Sequence, residues 1–190
     1  MYVIFDTETT GIPRSWRAPV TDLDNWPRLV QLAWHLYDKD GTKLDAQDLI
    51  IKPEGFTIPV EVARIHGITT ERAMSEGVPL ALALDTFACS LNDAEFLVAH
   101  NINFDEMVLG AEYLRVHNVN KLDGKGRICT MQGSTAYCEI PGPYGYKWPR
   151  LLELHQKLFN AGFDNAHNAA TDVVVTAKCF WELKKLGILA

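Results

Sequence analysis

Four carboxylates stand where predicted strands and helices begin or end: Asp6, Glu8, Asp105 and Asp172. Asp6 and Glu8 follow an apolar run at residues 2–5 and precede Gly11. Because side chains alternate along a strand, residues two apart project to the same side. Two acids at the end of a buried strand repel each other and lose hydration, which is costly unless a cation lies between them. The pair therefore predicts a cation site.

The other two acids lie near the starts of predicted helices. Asp105 lies in the first turn of a helix predicted at 103–118, and Asp172 lies near the start of a helix predicted at 169–186. Oxygen ligands without sulfur or a histidine pair favour Mg²⁺ or Mn²⁺ over zinc. Two such ions about 3.5–4 Å apart can stabilise both the attacking and the leaving oxygen of a phosphoryl displacement. We therefore expect chemistry on a phosphodiester.

A histidine precedes the last acid by five residues. On a straight helix, His167 would point about 140° away from Asp172, so the two converge only if His167 lies in the preceding loop. The stretch 162–168 is rich in Gly, Asn and Asp, as loops are. A loop imidazole at this place can take a proton from water near neutral pH. A surface histidine without a role is the alternative.

Composition limits the class of protein. The chain has 190 residues, 47% of them apolar, which suits one domain with a sizeable core. Its four cysteines have no CxxC spacing, which favours free thiols in a reducing compartment. No apolar stretch could span a bilayer, so a cytoplasmic protein without a membrane segment is expected. The net charge of −6 argues against gripping nucleic acid by charge alone, but not against acting on it through metal ions.

Hydrophobic periodicity predicts an α/β fold with a sheet of mixed direction. A turn at 39–41 joins two strands that form an antiparallel meander with the first strand. Asn103 and Glu106 predict a capping box. The predicted strands lie at 2–5, 28–38, 42–53, 95–101 and 127–132. The predicted helices are a short one ending at 64–70 and longer ones at 79–94, 103–118, about 150–160 and 169–186, with loops at 12–27 and 140–149.

Three motifs together resemble a known family. DTETTG (6–11), HNINFD (100–105) and HNAATD (167–172) are similar to the motifs of the DnaQ-like 3′–5′ exonucleases. The histidine places the resemblance in the DEDDh branch, to which the proofreading epsilon subunit of bacterial DNA polymerase III belongs. The tyrosine branch would have Tyr four residues before Asp172, where this chain has Asn168.

The resemblance implies a ribonuclease H-like fold, a mixed five-stranded sheet with helices on both faces, in a single exonuclease domain at 1–190. It implies that two divalent ions, Mg²⁺ or Mn²⁺, are bound directly by Asp6, Glu8 and Asp172 and largely through water by Asp105. His167 is then the general base, and nucleoside 5′-monophosphates are released from a free 3′ end. The substrate-binding residues that it implies are Thr9, Thr10, Gly11, Glu61, His66, Asn101 and Phe104.

The motifs leave the substrate and the setting open. The first hypothesis is cleavage of single-stranded DNA, by an enzyme that stands alone or proofreads for a polymerase. Trimming of RNA or short oligonucleotides would use the same residues, because discrimination of the 2′-hydroxyl depends on pocket shape. A non-catalytic nucleic-acid or polymerase-binding module is disfavoured, since all four acids and the histidine are present. The oligomeric state also stays open.

Two departures from the family pattern and two aromatic segments need an interpretation. Gln31 and Cys129 stand where many relatives have acids, and we place both outside the metal shell. The loop at 12–27 either forms part of a substrate wall or covers the sheet. The aromatic residues in the loop at 140–149 either pack against the protein or stack on single-stranded bases, and packing is the favoured interpretation.

Overall fold

A mixed five-stranded sheet forms the centre of the fold, with the strand order β3-β2-β1-β4-β5. The computed structural model describes residues 1–164 and 168–189. The strands are β1 (Tyr2–Thr9), β2 (Leu29–Tyr37), β3 (Lys43–Ile50), β4 (Phe96–Ala99) and β5 (Gly126–Cys129). The first three form an antiparallel meander, while β4 and β5 run parallel to β1. The predicted mixed sheet and its meander are confirmed.

Helices connect the strands and cover the sheet. They are α1 (Val60–His66), α2 (Thr70–Glu76), α3 (Leu80–Asp93), α4 (Ile102–His117), α5 (Thr130–Gly133), α6 (Thr135–Cys138), α7 (Leu151–Phe159) and α8 (Ala169–Lys185). The four longer helices lie close to their predicted bounds. In the described part of the chain, no helix is long and apolar enough to cross a membrane.

The strand β1 is buried on both faces, as its apolar run predicts. Val3 and Phe5 belong to a core shared with α3 and α4, whereas Ile4 packs with Phe180 of α8 on the other face. Val3, Ile4 and Phe5 are each 0% exposed. Helices therefore lie on both faces of the sheet, and successive side chains of β1 pack alternately on one face and on the other.

The predicted capping box of α4 is wrong. The N-cap is Asn101, which adopts a left-handed conformation with φ of 74° and makes no side-chain cap bond. Asn103 lies one residue inside the helix. Glu106 accepts a hydrogen bond from Arg127 Nε at 2.6 Å instead of reaching back to the helix start. A buried carboxylate paired with a guanidinium in β5 is stabilised more than one bonded to a neutral amide.

The fifth strand is shorter than its predicted range of 127–132. It ends at Cys129, opposite Ala99, which is the last residue of its partner strand, β4. Without a ladder partner beyond that pair, the chain turns into α5 at Thr130. The loop predicted at 140–149 contains a small hairpin of β6 (Pro141–Gly142) and β7 (Gly145–Tyr146).

The loop at 12–27 is tied to α4. Trp26 is buried, and its Nε1 donates to the Pro19 carbonyl at 3.0 Å. The Arg115 guanidinium donates to the carbonyl groups of Leu23 and Trp26. Glu112, fully buried in the same helix, forms an ion pair with Arg115 at 3.0 Å. These bonds satisfy loop backbone groups that the sheet does not reach.

Candidate active site

Three carboxylates from two elements converge at one end of the sheet. Asp6 and Glu8 lie in the second half of β1, which continues to Thr9. Asp172 lies in the first turn of α8. One ligand oxygen from each of the three lies within 4.8 Å of the others. The predicted projection of Asp6 and Glu8 to one side is thus observed, and Asp172 faces them.

The strand register explains why these acids can be approached. Pairing between β1 and β4 ends at Ile4 and Val98, whereas β1 continues alongside β2 for five more residues. A register shift follows Glu8, so that Glu8 pairs with Gln31 and Thr9 pairs with Leu29. Irregularities of this kind, when they occur at the end of a sheet, change the direction in which the local side chains point. The free edge of β1 leaves room for helix starts to bring further groups.

Small residues let α8 approach the sheet closely. Ala169 and Val173 pack on Ala33, which is the β2 partner of Asp6. The Asn168 side chain caps α8 by accepting a hydrogen bond from the Thr171 backbone N–H at 3.3 Å. This packing sets Asp172, which is 9% exposed, against the strand that carries the other two acids.

Asp105 reaches the site from the opposite face. Its Oδ1 accepts a hydrogen bond from the Thr7 backbone N–H at 3.1 Å and another from the Thr7 hydroxyl at 2.7 Å. By alternation along β1, Thr7 shares the face that packs on α4, while Asp6 and Glu8 share the face that packs on α8. Asp105 therefore lies beside the three-acid group, near enough for its charge to raise the pKa of Asp6.

Burial and mutual repulsion raise the pKa values of the acids on β1 and α4. Burial is the largest cause for Asp6, whose pKa lies well above its usual value, and the charges of Asp105, Asp172 and Glu8 add to it. Burial, followed by the charges of Asp172 and Asp105, raises the pKa of Glu8 to about 8. Burial raises the pKa of Asp105 to about 7, although the bonds from Thr7 lower it.

This arrangement fits a divalent cation. Among the residues that the structure describes, the group offers carboxylate oxygens, the ligand type that Mg²⁺ and Mn²⁺ prefer. Its acids are held together although their charges repel, and a cation would stabilise their ionised forms. The donor set and the electrostatics therefore point to the same kind of ligand.

The predicted substrate residues at 9–11 lead from the last residue of β1 into a turn that is bonded to Arg28, the residue before β2. Thr9 Oγ1 donates to the Gly11 carbonyl at 2.6 Å. The Thr10 backbone N–H donates to Arg28 O at 2.9 Å, and the Thr10 hydroxyl accepts from Arg28 N at 3.0 Å. Gly11 has φ of 145°, a conformation that favours glycine. The turn presents its backbone next to the acids of β1.

The other predicted substrate residues are distributed around the site. His66 is buried, and the Thr9 carbonyl partly offsets the lowering of its pKa by burial, so its ring lies beside the turn. Glu61 is exposed in the first turn of α1. Asn101 and Phe104 lie at the start of α4. His167 lies outside the described residues, so its predicted role as a base stays a prediction.

A cavity of about 1160 Å³ opens beside the start of α4. Trp16 from the loop at 12–27 and Trp148 from the loop before α7 line it, together with Asn101 and Asn103. The two tryptophans are 52% and 60% exposed. Trp16 also contacts Phe104, with ring centroids 5.7 Å apart. Trp26 and Trp34 are buried, whereas Trp16 and Trp148 face open space, so the packing favoured for the aromatic residues of the loop at 140–149 does not hold for Trp148.

His100 anchors the loop before α7, which carries Trp148, beside this cavity. Its Nε2 lies 3.0 Å from the Pro149 carbonyl, and its Nδ1 lies 3.0 Å from the Thr130 hydroxyl. Burial lowers the pKa of His100 to about 4, so the ring is neutral at pH 7. The neutral ring then donates to Pro149 and accepts from Thr130. This places Trp148 next to Asn101.

Sequence reasoning missed the part that Thr7 plays. The only signal was its place between Asp6 and Glu8, where alternation turns it toward the opposite face. That Asp105 would come from that face depends on how α4 packs, which the sequence pattern does not contain.

Comparisons with known proteins agree with this geometry. Residues 3–180 match the family model of the exonuclease (RNase_T) family. No curated protein sequence matches the chain at a significant level. Among solved structures, E. coli exonuclease I in complex with a dT13 oligonucleotide is similar, with a TM-score of 0.74 and 20% identity over 97% of this chain and 40% of that chain.

Two further complexes give the same picture. E. coli exonuclease I with a dA16 oligonucleotide has a TM-score of 0.74 and 19% identity, and the zinc-bound form of its single-stranded DNA complex has a TM-score of 0.73 and 20% identity. In both cases 97% of this chain aligns with 40% of the other, so the chain spans less than half the length of these structures. The likeness shows a shared fold. Since the family match extends over nearly the whole chain, the protein belongs to the exonuclease family, within the DnaQ-like 3′–5′ exonucleases.

Proposed function

We propose that this protein is a metal-dependent 3′–5′ exonuclease that removes nucleoside 5′-monophosphates from the ends of single-stranded DNA. The observation that carries the proposal is the convergence of Asp6, Glu8 and Asp172 within 4.8 Å in a chain of the exonuclease family. Repulsion between acids that are held together at a strand end destabilises the metal-free fold. A binding site for cations explains why the acids are nevertheless placed together.

The acids divide the work by position. Asp6, Glu8 and Asp172 would hold two divalent ions, Mg²⁺ or Mn²⁺, and Asp105 would join them largely through water from the opposite face of β1. When bound, the ions supply Lewis-acid stabilisation of the charge that develops on the phosphate. The two bonds from Thr7 keep the Asp105 carboxylate in one orientation, so this acid needs no rearrangement when substrate arrives.

His167 is proposed as the general base. Water attacks the last phosphorus atom while one of its protons passes to His167, and the bond from phosphorus to the 3′ oxygen of the remaining strand breaks, so that this oxygen takes up a proton from solvent and becomes a 3′-hydroxyl. The products are a nucleoside 5′-monophosphate and a strand shortened by one nucleotide. The assignment rests on the sequence, because His167 precedes the N-cap of α8 by one residue, in the stretch that leads to Asp172.

A single-stranded substrate is favoured by the cavity beside α4. Trp16 and Trp148 expose flat apolar rings there, next to Asn101 and Phe104. Unpaired bases can stack on such rings, whereas bases in a duplex are already stacked and paired. Stacking also suits a chain of net charge −6, which gains little from attraction to phosphates. The similar exonuclease I structures include complexes with dT13 and dA16 oligonucleotides and one with single-stranded DNA.

The test is digestion of matched 5′-labelled single-stranded DNA and RNA oligonucleotides with Mg²⁺ or Mn²⁺, with chelator and with Asp6→Asn as controls. We expect a ladder that shrinks from the 3′ end on DNA and that vanishes with chelator and in the variant. Asp24→Asn, which changes an exposed loop acid, should match wild type.

Two results would change the conclusion. A ladder on RNA alone would keep the mechanism and replace the substrate. No metal-dependent cleavage of either strand would overturn the proposal and favour a binding module with this fold.

A further inference from the structure

Gln31 lies at the junction of the sheet and the helix that carries Asp172. It is 2% exposed and is the direct β2 partner of Glu8. Its Nε2 donates to Asp48 Oδ1 at 2.6 Å, and its Oε1 accepts from the Ala169 backbone N–H at 3.3 Å. One side chain thus connects the edge strand β3 to the first residue of α8.

A side-chain amide suits both bonds. It donates through nitrogen and accepts through oxygen, so the partners on either side fix its orientation. A carboxylate could accept from Ala169 but would oppose Asp48 and would add charge beside Glu8, whose pKa is already raised to about 8. An apolar side chain could make neither bond and would leave the first N–H of α8 without its acceptor.

The bond acts where α8 meets the acids. Ala169 precedes Asp172 by three residues, so the two lie on the same side of the helix, one turn apart. Ala169 is also fully buried against Ala33, the partner of Asp6. Packing of small side chains sets the distance between helix and sheet, but a directed hydrogen bond fixes how far the helix slides along the sheet.

We propose that Gln31 is a positioning residue that sets Asp172 against Asp6 and Glu8 and thereby sets the affinity of the site for divalent cations. The inference rests on the proposed metal site. In this role Gln31 is not itself a ligand of the ion. Groups that orient metal ligands from behind typically contribute about 10–100-fold to metal affinity.

The first experiment compares Mn²⁺ and Mg²⁺ dissociation constants of wild type and Gln31→Met by calorimetry, together with melting temperature, kcat and KM. We expect Mn²⁺ binding to weaken by about 10–100-fold. At low metal concentration kcat should fall, while KM for the oligonucleotide stays near wild type. A variant that is less stable but binds Mn²⁺ as tightly as wild type would overturn the inference.

If Gln31→Met does not fold, a second pair of variants tests the inference. Gln31→Glu alone sets two carboxylates against each other, whereas Gln31→Glu with Asp48→Asn exchanges donor and acceptor and restores both bonds. Asp48 is exposed on β3, so its substitution does not disturb the core. The single variant carries more negative charge, which by itself attracts cations. Tighter Mn²⁺ binding by the double variant would therefore report the restored bond, and equal or weaker binding would overturn the inference.

The two proposals fail in different ways. If wild type neither binds Mn²⁺ nor cleaves DNA, the proposed function is wrong, and the inference falls with it. If wild type does both and the Gln31 variants bind metal normally, only the inference is wrong.

Discussion

The carboxylate of Asp105 accepts two hydrogen bonds from Thr7, one from its backbone N–H and one from its hydroxyl. Thr7 lies between Asp6 and Glu8 on β1, but its side chain points to the other face of the sheet. The residue that separates the two acids in sequence therefore holds a third acid at the strand edge. At Thr7 the pairing of β1 with β4 has already ended, so the Thr7 backbone N–H is available to orient the Asp105 carboxylate.

Thr7→Val should shift the pH dependence of cleavage. The substitution removes one donor, keeps the backbone bond and preserves the shape of the side chain. Because the bonds from Thr7 lower the pKa of Asp105, its loss should move the acidic limb of the pH–rate profile upward and reduce the rate near pH 7 by about tenfold, as expected for a hydrogen bond to a charged group. Thr86→Val, which alters an exposed hydroxyl on α3, is the control, and an unshifted profile for Thr7→Val would contradict the prediction.

The metal-free protein should lose stability as the pH rises. The pKa of Glu8 is raised from 4.5 to about 8 and that of Asp105 from 3.8 to about 7. Groups with a raised folded-state pKa bind more protons when folded, so their stabilisation is complete below their unfolded values and disappears as the pH rises toward 8. Melting temperatures between pH 5 and pH 8 in chelator measure the effect.

The same experiment with Mg²⁺ or Mn²⁺ tests the site itself. Cations bind the ionised carboxylates, so the stabilisation by metal should grow over the range in which the metal-free protein weakens. Glu8→Gln should reduce both trends, since it removes one titrating group. A melting temperature that rises with pH in chelator would be incompatible with these pKa shifts.

His167→Asn should separate proton transfer from metal binding. A general base contributes about 10²–10⁴-fold to rate, so kcat should fall by that factor while the Mn²⁺ dissociation constant stays near wild type. His117→Asn, at the far end of α4, is a matched control that should retain full activity. A loss of only about twofold would make His167 a bystander.

Trp148→Ala should weaken binding of single-stranded DNA. Stacking of a base on an aromatic side chain contributes about 1–3 kcal/mol, so KM should rise by roughly 5- to 150-fold while kcat changes little. Tyr144→Ala is the control, because Tyr144 is fully exposed and does not line the cavity. Equal effects of the two variants would assign Trp148 to loop packing.

The sequence determined more of the site than of its surroundings. Alternation along β1 was enough to place Asp6 and Glu8 on one side, and the starts of two helices were enough to locate Asp105 and Asp172. These features follow from local periodicity and from helix and strand geometry. The predictions of a strand at 127–132 and of a capping box were wrong because each depends on a partner elsewhere in the chain. That partner is the end of β4 in the first case and Arg127 in the second.

Contacts between distant segments were decided only by the tertiary structure. Nothing local tells that Gln31 meets Ala169, that Thr7 meets Asp105, or that Trp16 and Trp148 face one cavity, since each pair is separated by about a hundred residues or more. The sequence by itself determined which residues could do chemistry and on which elements they lie. Packing of α4 and α8 on opposite faces of one sheet decided which of them meet, because that packing sums many weak contacts that no short stretch of sequence contains.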